Sequence, residues 1–371
     1  MKTNIKKKLQ SIFKKITYNI FFLFYGKIKG IIKASSDDNV KIKKTTFHEN
    51  FNYRIYNIKK CRLYTDAVTD AAFIVNNKIV DEPSFQFRDV KNAYCDKNIV
   101  FEKGTPRYRR KIKGTVFSLL TGGAGNDNYW HWMFDVLPRI GIVQNAGIYE
   151  DINYFLFPDT RKKFQRESLD LLNIDPNKRL SSLHYRHVIA DTFISVDHPY
   201  VLKNDATNEI TNIPKWIIDW LKKEFSKKLE NNKSFPEKFY IDRNDSTSER
   251  AHLRKIINEQ EVKDFLEKNN YKSITLANLN FIDQVNLFKK AKSIVGLHGA
   301  GFANTVFCFP KTKILELKPH SSGDVIKNLC IANDLIYSEI SIKTTSNNNN
   351  DQFGHIEIPI NVLEKKLMNK Y

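Results

Sequence analysis

Ser293-Ile-Val-Gly-Leu-His298-Gly-Ala-Gly-Phe-Ala-Asn304 opens as an apolar run, passes through a glycine-rich turn and becomes apolar again. A short apolar run bounded by glycines reads as a strand buried on both faces, and the turn after it opens a short helix, Gly301 to Phe307. Working outward, Phe281 to Ala291 has helical spacing before it, and Lys313 to Leu317 reads as a strand after it. Further back come a strand at Phe239 to Asp242, a helix from Asn258 to Lys268 with Glu261 in capping position, and a strand at Ser273 to Leu276. Strands alternating with helices predict a parallel α/β layer.

The same rhythm runs through the first half. Val116 to Leu120 reads as a buried strand, followed by a glycine-rich loop and a helix from near Asn128 into the 140s. Tyr154 to Phe157 is a strand, Lys162 to Leu172 a helix and His187 to Val196 a strand. Ahead of these, Ala72 to Val75 and Ile79-Val80 flank Asn76-Asn77-Lys78, a hairpin signal. The helix from Pro214 to Leu229 and the polar stretch Asn231 to Pro236 mark a boundary. The expected fold class is α/β, with two Rossmann-type domains facing across a cleft and a basic amphipathic helix in front. The expected divisions are 1–35 for the helix, 36–213 and 214–340 for the two domains, and 341–371 for a loop and tail, including the asparagine run in Thr344 to Asp351.

With 371 residues, 41% of them hydrophobic, the chain has enough apolar area for two cores. Its net charge of +19 favours phosphates, anionic lipid or nucleic acid. Much of that excess is local, because Lys2, Lys6, Lys7, Lys8, Lys14, Lys15, Lys27, Lys29 and Lys33 all precede the first acid, Asp37. Charge gathered before the α/β core argues against nucleic acid. Ile5, Leu9, Ile12, Phe13, Ile16 and Ile20 recur at helical spacing among these lysines, while the apolar run Ile20 to Tyr25 is too short to span a bilayer. The segment is expected to lie on an anionic membrane surface, with packing on its own domain and a signal or anchor as the alternatives. Cys61, Cys95, Cys308 and Cys330 form no C-x-x-C pair, so a reducing cytoplasm is the simplest setting.

Four stretches carry candidate chemistry. The turn at His298, Gly299, Ala300, Gly301 and Asn304 lets backbone N–H groups meet phosphate oxygens at a helix opening, although a tight turn that needs glycine for steric reasons explains the same residues. Glu316, in Ile314-Leu315-Glu316-Leu317-Lys318, reads as a strand-end carboxylate for ribose hydroxyls or as a partner of Lys318. Arg243 and Arg250 follow the carboxyl end of a strand, where forked guanidiniums suit a diphosphate and solvated loop charge is the plain alternative. On a helix, His131, Asp135 and Arg139 fall at i, i+4 and i+8, a polar stripe on an aromatic segment. A carboxylate that orients an imidazole suits a general base, with His131 and Asp135 both open as the base. The chain has no D-x-D pair to hold a metal against a diphosphate.

Taken together, Tyr129-Trp-His-Trp-Met-Phe-Asp-Val-Leu-Pro-Arg139, Tyr240-Ile-Asp-Arg243 and His298-Gly-Ala-Gly-Phe-Ala-Asn304, in this order, resemble glycosyltransferase family 61. Where that family commonly has a second arginine, Asn244 follows Arg243. The resemblance implies a GT-B arrangement, with acceptor on the N-terminal domain and nucleotide-sugar on the C-terminal one. It also implies an inverting transfer onto a polysaccharide, lipid-linked or protein-linked glycan in surface polysaccharide assembly, capsule or lipopolysaccharide. The donor is a substrate, so no cofactor is expected and no metal is required. The setting would be the cytoplasm, peripheral to the inner face of the membrane. An acyltransferase using His131-x-x-x-Asp135 is the alternative.

Overall fold

The computed structural model describes residues 2–47, 51–66, 70–84, 95–120, 128–203, 206–226, 233–243, 254–344 and 354–368. The chain forms two compact units, Met1–Lys162 with Ile174–Glu209, and Lys163–Asn173 with Ile210–Tyr371.

The first unit contains β1 (Ile31–Ile32), β2 (Val40–Phe47), β3 (Phe51–Lys59), β4 (Arg62–Thr65), β5 (Ala71–Val75), β6 (Lys78–Val80), β7 (Arg110–Ser118), β8 (Tyr154–Phe157), β9 (Arg179–Ser181) and β10 (His187–Val196). They lie in the order β1-β6-β5-β4-β10-β7-β8-β9, with β3 pairing β10 and β2 pairing β3. The stretch β10-β7-β8-β9 is parallel. The pairs β2–β3, β3–β10, β4–β10, β4–β5 and β5–β6 are antiparallel. The unit therefore departs from a Rossmann-type domain, and connection length explains why. Asn76 and Asn77, both at positive φ, join β5 to β6 in two residues, whereas a parallel crossover needs a dozen or more. Phe73, Val116, Leu156, Val188 and Phe193 share the buried core of this sheet. A helix of 24 residues, Lys2–Tyr25, precedes it.

The second unit contains β11 (Lys238–Asp242), β12 (Lys272–Thr275), β13 (Ser293–Leu297), β14 (Lys313–Pro319) and β15 (Ile336–Ile342). The order is β12-β11-β13-β14-β15 and every pairing is parallel. Numbered from the first strand of the unit, this is the 2-1-3-4-5 order of a doubly wound sheet. Both faces are covered, so neighbouring residues of one strand are both buried, as at Ile294-Val295 and Ile314-Leu315. Tyr240, Val295, Leu315 and Leu317 pack with Val262 and Leu266 of the helix Glu259–Lys268, while Phe239 meets Phe288 of the helix Phe281–Lys290 edge-on at 5.2 Å. Asn258 stands at the N-cap as expected, but its side chain makes no cap bond to the backbone of the helix; it donates to Glu261 Oε2 at 2.9 Å and pairs with the backbone N–H and carbonyl of Ile358 at 2.9 and 2.8 Å. Glu316 lies in the middle of β14 and not at its end, opposite Gly296 and Glu339.

Among the described residues, no helix is long and apolar enough to cross a membrane.

Candidate functional site

In the first unit the site is built on a distorted helix. The Asn128 side chain accepts the Trp130 N–H at 2.9 Å and starts the helix at Tyr129. After one turn, Trp132–Val136 is π-helical, and the Leu137 N–H donates to the Trp132 carbonyl at 3.1 Å. Pro138, which has no N–H to donate backwards, is the first residue of the α-helix Pro138–Asn145. The kink that a proline imposes on a helix takes the form here of a widened turn before Pro138, a feature that concentrates at functional sites.

Asp135 lies in that widened turn and is fully buried. Its carboxylate accepts from His131 Nδ1 at 2.8 Å and from the Tyr200 hydroxyl, and His198 Nε2 lies 3.9 Å away. Burial pushes the Asp135 carboxyl up, but the adjacent His131 and His198 more than offset it and hold the group below the usual carboxylate range. Burial lowers the His198 imidazole and raises the Tyr200 phenol. His198 Nδ1 accepts the N–H groups of Tyr200 and Val201 at 3.3 and 3.1 Å, which leaves the proton of the neutral ring on Nε2, towards Asp135. His131 is different, because 27% of its side chain is exposed against none of Asp135. Nδ1 is turned inward to the carboxylate, and Nε2 is the ring's other nitrogen. The two side chains thus differ in burial, which their spacing alone leaves open. Arg139 does not join them: its Nε donates to the Asp135 carbonyl at 2.9 Å and its Nη1 to the Val196 carbonyl at 3.2 Å, so it braces the irregular backbone.

In the second unit the site lies at the carboxyl ends of β11 and β13, the point where the strand order reverses and where open α/β sheets bind ligands. Arg243 follows β11 and His298 follows β13. Arg243 Nη1 and Arg254 Nη1 both donate to the His298 carbonyl, at 2.9 and 2.8 Å. Burial and the like charge of Arg243 lower Arg254 to about 10, with Glu316 acting the other way. Two guanidiniums held together favour an anion between them. Residues 298 to 301 are half-buried, whereas Phe302 to Phe307 are buried. A Cβ at Gly299 would sit 3.3 Å from Arg243 Nη1, so glycine lets the guanidinium lie against the turn. The helix that follows, Ala300–Phe307, is 3-10, and its first N–H groups have no carbonyl behind them in the helix.

Beneath the turn, the fully buried Glu316 accepts from His298 Nδ1 and lies 2.6 Å from the Tyr337 hydroxyl. Tyr337 is also 2.7 Å from Glu339, which pairs with Lys318 at 3.1 Å. Glu316, expected as a ribose contact or as the partner of Lys318, is thus engaged on both oxygens inside the protein. Asn304 is likewise turned inward. It is fully buried and gives its amide to Gln284 at 3.0 Å, so it braces the turn from within. Arg250 and the glycine-rich loop Gly122 to Asp127 lie outside the described residues. Among the described residues, no three His, Cys, Asp or Glu side chains gather as a metal-ligand set.

Sequence reasoning missed Arg254, His198, Tyr200 and Tyr337. A signal existed for two of them: Asp197-His-Pro-Tyr200 follows directly on a strand end, where polar clusters are informative. Arg254 was readable only as one more arginine in a polar loop. It supplies the second guanidinium that Asn244 does not.

Residues 129–315 match the family model described as Glycosyltransferase 61, a span that takes in His131, Asp135, Arg243, Arg254 and His298 and stops one residue before Glu316. No curated protein matches the chain.

Proposed function

This chain belongs to glycosyltransferase family 61 and is a glycosyltransferase, and from that premise we propose an inverting transfer in which His131 is the base and the arginine pair receives the leaving group. His131 Nε2 takes the proton of an acceptor hydroxyl as that oxygen bonds to the anomeric carbon of the donor. The bond from that carbon to the diphosphate breaks in the same displacement, and the electron pair leaves with the nucleoside diphosphate. Asp135 and Tyr200 fix the tautomer and aim of His131, and the imidazolium that forms stays paired to a buried carboxylate. Arg243, Arg254 and the backbone of Gly299 to Gly301 stabilise the developing negative charge. His298, Glu316 and Asn304 hold that turn in place. The observation that carries the reading is the convergence of Arg243 and Arg254 on one carbonyl at the reversal point of a parallel sheet.

A GT-B layout, with donor on the second unit and acceptor on the first, belongs to the same reading. So does work on a surface polysaccharide, capsule or lipopolysaccharide, at the inner face of the cytoplasmic membrane, where the helix Lys2–Tyr25 rests on anionic lipid. Its support is the lysine cluster before Asp37 together with the exposed apolar residues of that helix.

The test is thermal stabilisation of the purified chain by UDP, GDP, CMP, dTDP and acyl-CoA, each with and without Mn²⁺. One nucleotide is expected to raise the melting temperature, an effect lost in Arg243→Ala and in Arg254→Ala. A response to acyl-CoA alone would move the assignment to acyl transfer by the His131–Asp135 pair.

A further inference from the structure

Resting on the membrane reading of the N-terminal helix, we infer that the lipid-binding surface has a second element, the segment Arg107–Lys111, with Tyr108 as its interfacial anchor. The helix ends on the first unit through one side only. Tyr25 is enclosed by Arg109, whose guanidinium lies 4.7 Å above its ring, by Arg62 at 5.9 Å and by the edge of His187 at 4.9 Å. Phe22 sits over Gly104, where a Cβ would come within 2.5 Å of its ring. Of the other apolar positions from Leu9 onward, Leu9, Ile12, Phe13, Ile16, Ile20, Leu23 and Phe24 are exposed, Leu23 at 88% and Phe24 at 75%. At 3.6 residues per turn these seven fall within about one third of the helix circumference. Lys7, Lys8, Lys14 and Lys15 fall outside that arc.

Tyr108 is 84% exposed, an unusual setting for so large a ring. Its ring meets Phe21 edge-on at 5.5 Å, and Phe21 is the i−3 neighbour of Phe24, so Tyr108 borders the exposed stripe on the Phe24 side. Its sequence neighbours are Arg107, Arg109, Arg110 and Lys111, all exposed. Apolar side chains flanked by an aromatic ring and by long cations match the boundary between acyl chains and anionic headgroups. The charge also selects the occupant. A second copy would bring an equally cationic surface against this one, since no acid occurs before Asp37.

Vesicle flotation tests this, with phosphatidylcholine liposomes made with and without phosphatidylglycerol, on the full chain and on Tyr108→Ser, Arg107→Ser/Lys111→Ser and Leu23→Glu/Phe24→Glu. Circular dichroism and melting temperature check that each variant is folded. Tyr108→Ser is expected to weaken binding to both vesicle types severalfold, and the double cation variant to weaken binding to the anionic vesicles by about fivefold per charge. If the helix variant loses binding while both 107–111 variants bind as the parent does, the surface is the helix alone and the inference falls. If the helix variant also binds as the parent does, the membrane reading falls with it. Lipid-independent dimers that dissociate in Leu23→Glu/Phe24→Glu would make a second copy the occupant and overturn the inference.

Discussion

Each unit contains a buried carboxylate that bonds a histidine and a tyrosine: Asp135 with His131 and Tyr200 in the first, Glu316 with His298 and Tyr337 in the second. Both carboxylates are fully buried and both histidines use Nδ1 inward. The difference lies in what surrounds the histidine. Around Asp135 the charge balance is close, with two imidazoles on one carboxylate and the Arg139 guanidinium turned to backbone carbonyls. Around His298 it is cationic, with two guanidiniums on the histidine's own carbonyl. On the proposed reading, the same three kinds of group make an oriented proton acceptor in one place and a rigid floor for an anion site in the other. A carboxylate–histidine pair does not specify a role until the next shell of charge is known.

The sharpest way to break this comparison is to remove each imidazole. His131→Ala is expected to lower kcat by about 10²- to 10⁴-fold while leaving nucleotide affinity unchanged, the range for loss of a general base. His298→Ala should show the reverse pattern, weaker nucleotide binding with a smaller effect on kcat. Steady-state kinetics beside nucleotide titration reads both, and equal kcat losses would abolish the distinction.

Acid should separate the units next. His187 is held down to about 4, by burial first and then by Arg62 and Arg109, against the hydrogen bond it makes to the Arg107 carbonyl. His198 is also lowered by burial, and both belong to the first unit. On acidification below about 6.5 the unfolded chain takes up these protons before the folded one, so stability falls with falling pH. For His187 the window runs from about 6.5 to about 4, with an upper bound of about 3 kcal/mol. Asp135 acts in the same direction at lower pH, since its folded pKa is depressed and its contribution disappears as the carboxylate is protonated. Calorimetry from pH 7.5 to 4.5 is expected to show the first unit melting earlier as pH drops, and His187→Gln to flatten the trend.

Arg254→Ala is expected to weaken nucleoside diphosphate binding by about 10- to 100-fold, the loss of one charge-assisted contact, with kcat at saturation falling less. Titration calorimetry checks it, and an unchanged affinity would remove Arg254 from the donor site. The smallest effect separates the two tyrosines. Tyr200→Phe should cost about 1–2 kcal/mol of stability, because it strips a hydrogen bond from a buried carboxylate. Tyr337→Phe should cost less, since Glu316 keeps His298 and Glu339 keeps Lys318. Urea unfolding of both variants measures the gap.

Much of the second unit was legible because its inner strands are buried on both faces and bounded by glycines or polar turns, so β11, β13 and β14 stand out as apolar runs. β15 was not, since Ile336-Tyr-Ser-Glu-Ile-Ser-Ile342 alternates at a sheet edge and is only half-buried. In the first unit β8 and β10 were readable to the residue, while β2 and β3 were not, because Val40 to Phe47 is largely exposed and lysine-rich. The helix Lys163–Leu171 also shows the limit: its amphipathic period marks it as a helix, but nothing in that period says that it packs with the second unit.

At the site, the sequence by itself determined which residues lie close along the chain. His131 and Asp135 share one face of a helix by spacing, and Arg243 and His298 each follow the end of a strand. Only the tertiary structure decided that Asp135 is sealed inside while His131 is partly exposed, that Glu316 is buried with partners on both oxygens, and that Arg254 stands beside Arg243. Spacing is a local property of the backbone, fixed by helical and strand periods. Burial and charge environment are sums over neighbours brought from distant parts of the chain, and those sums set two histidines with the same kinds of partner in different surroundings.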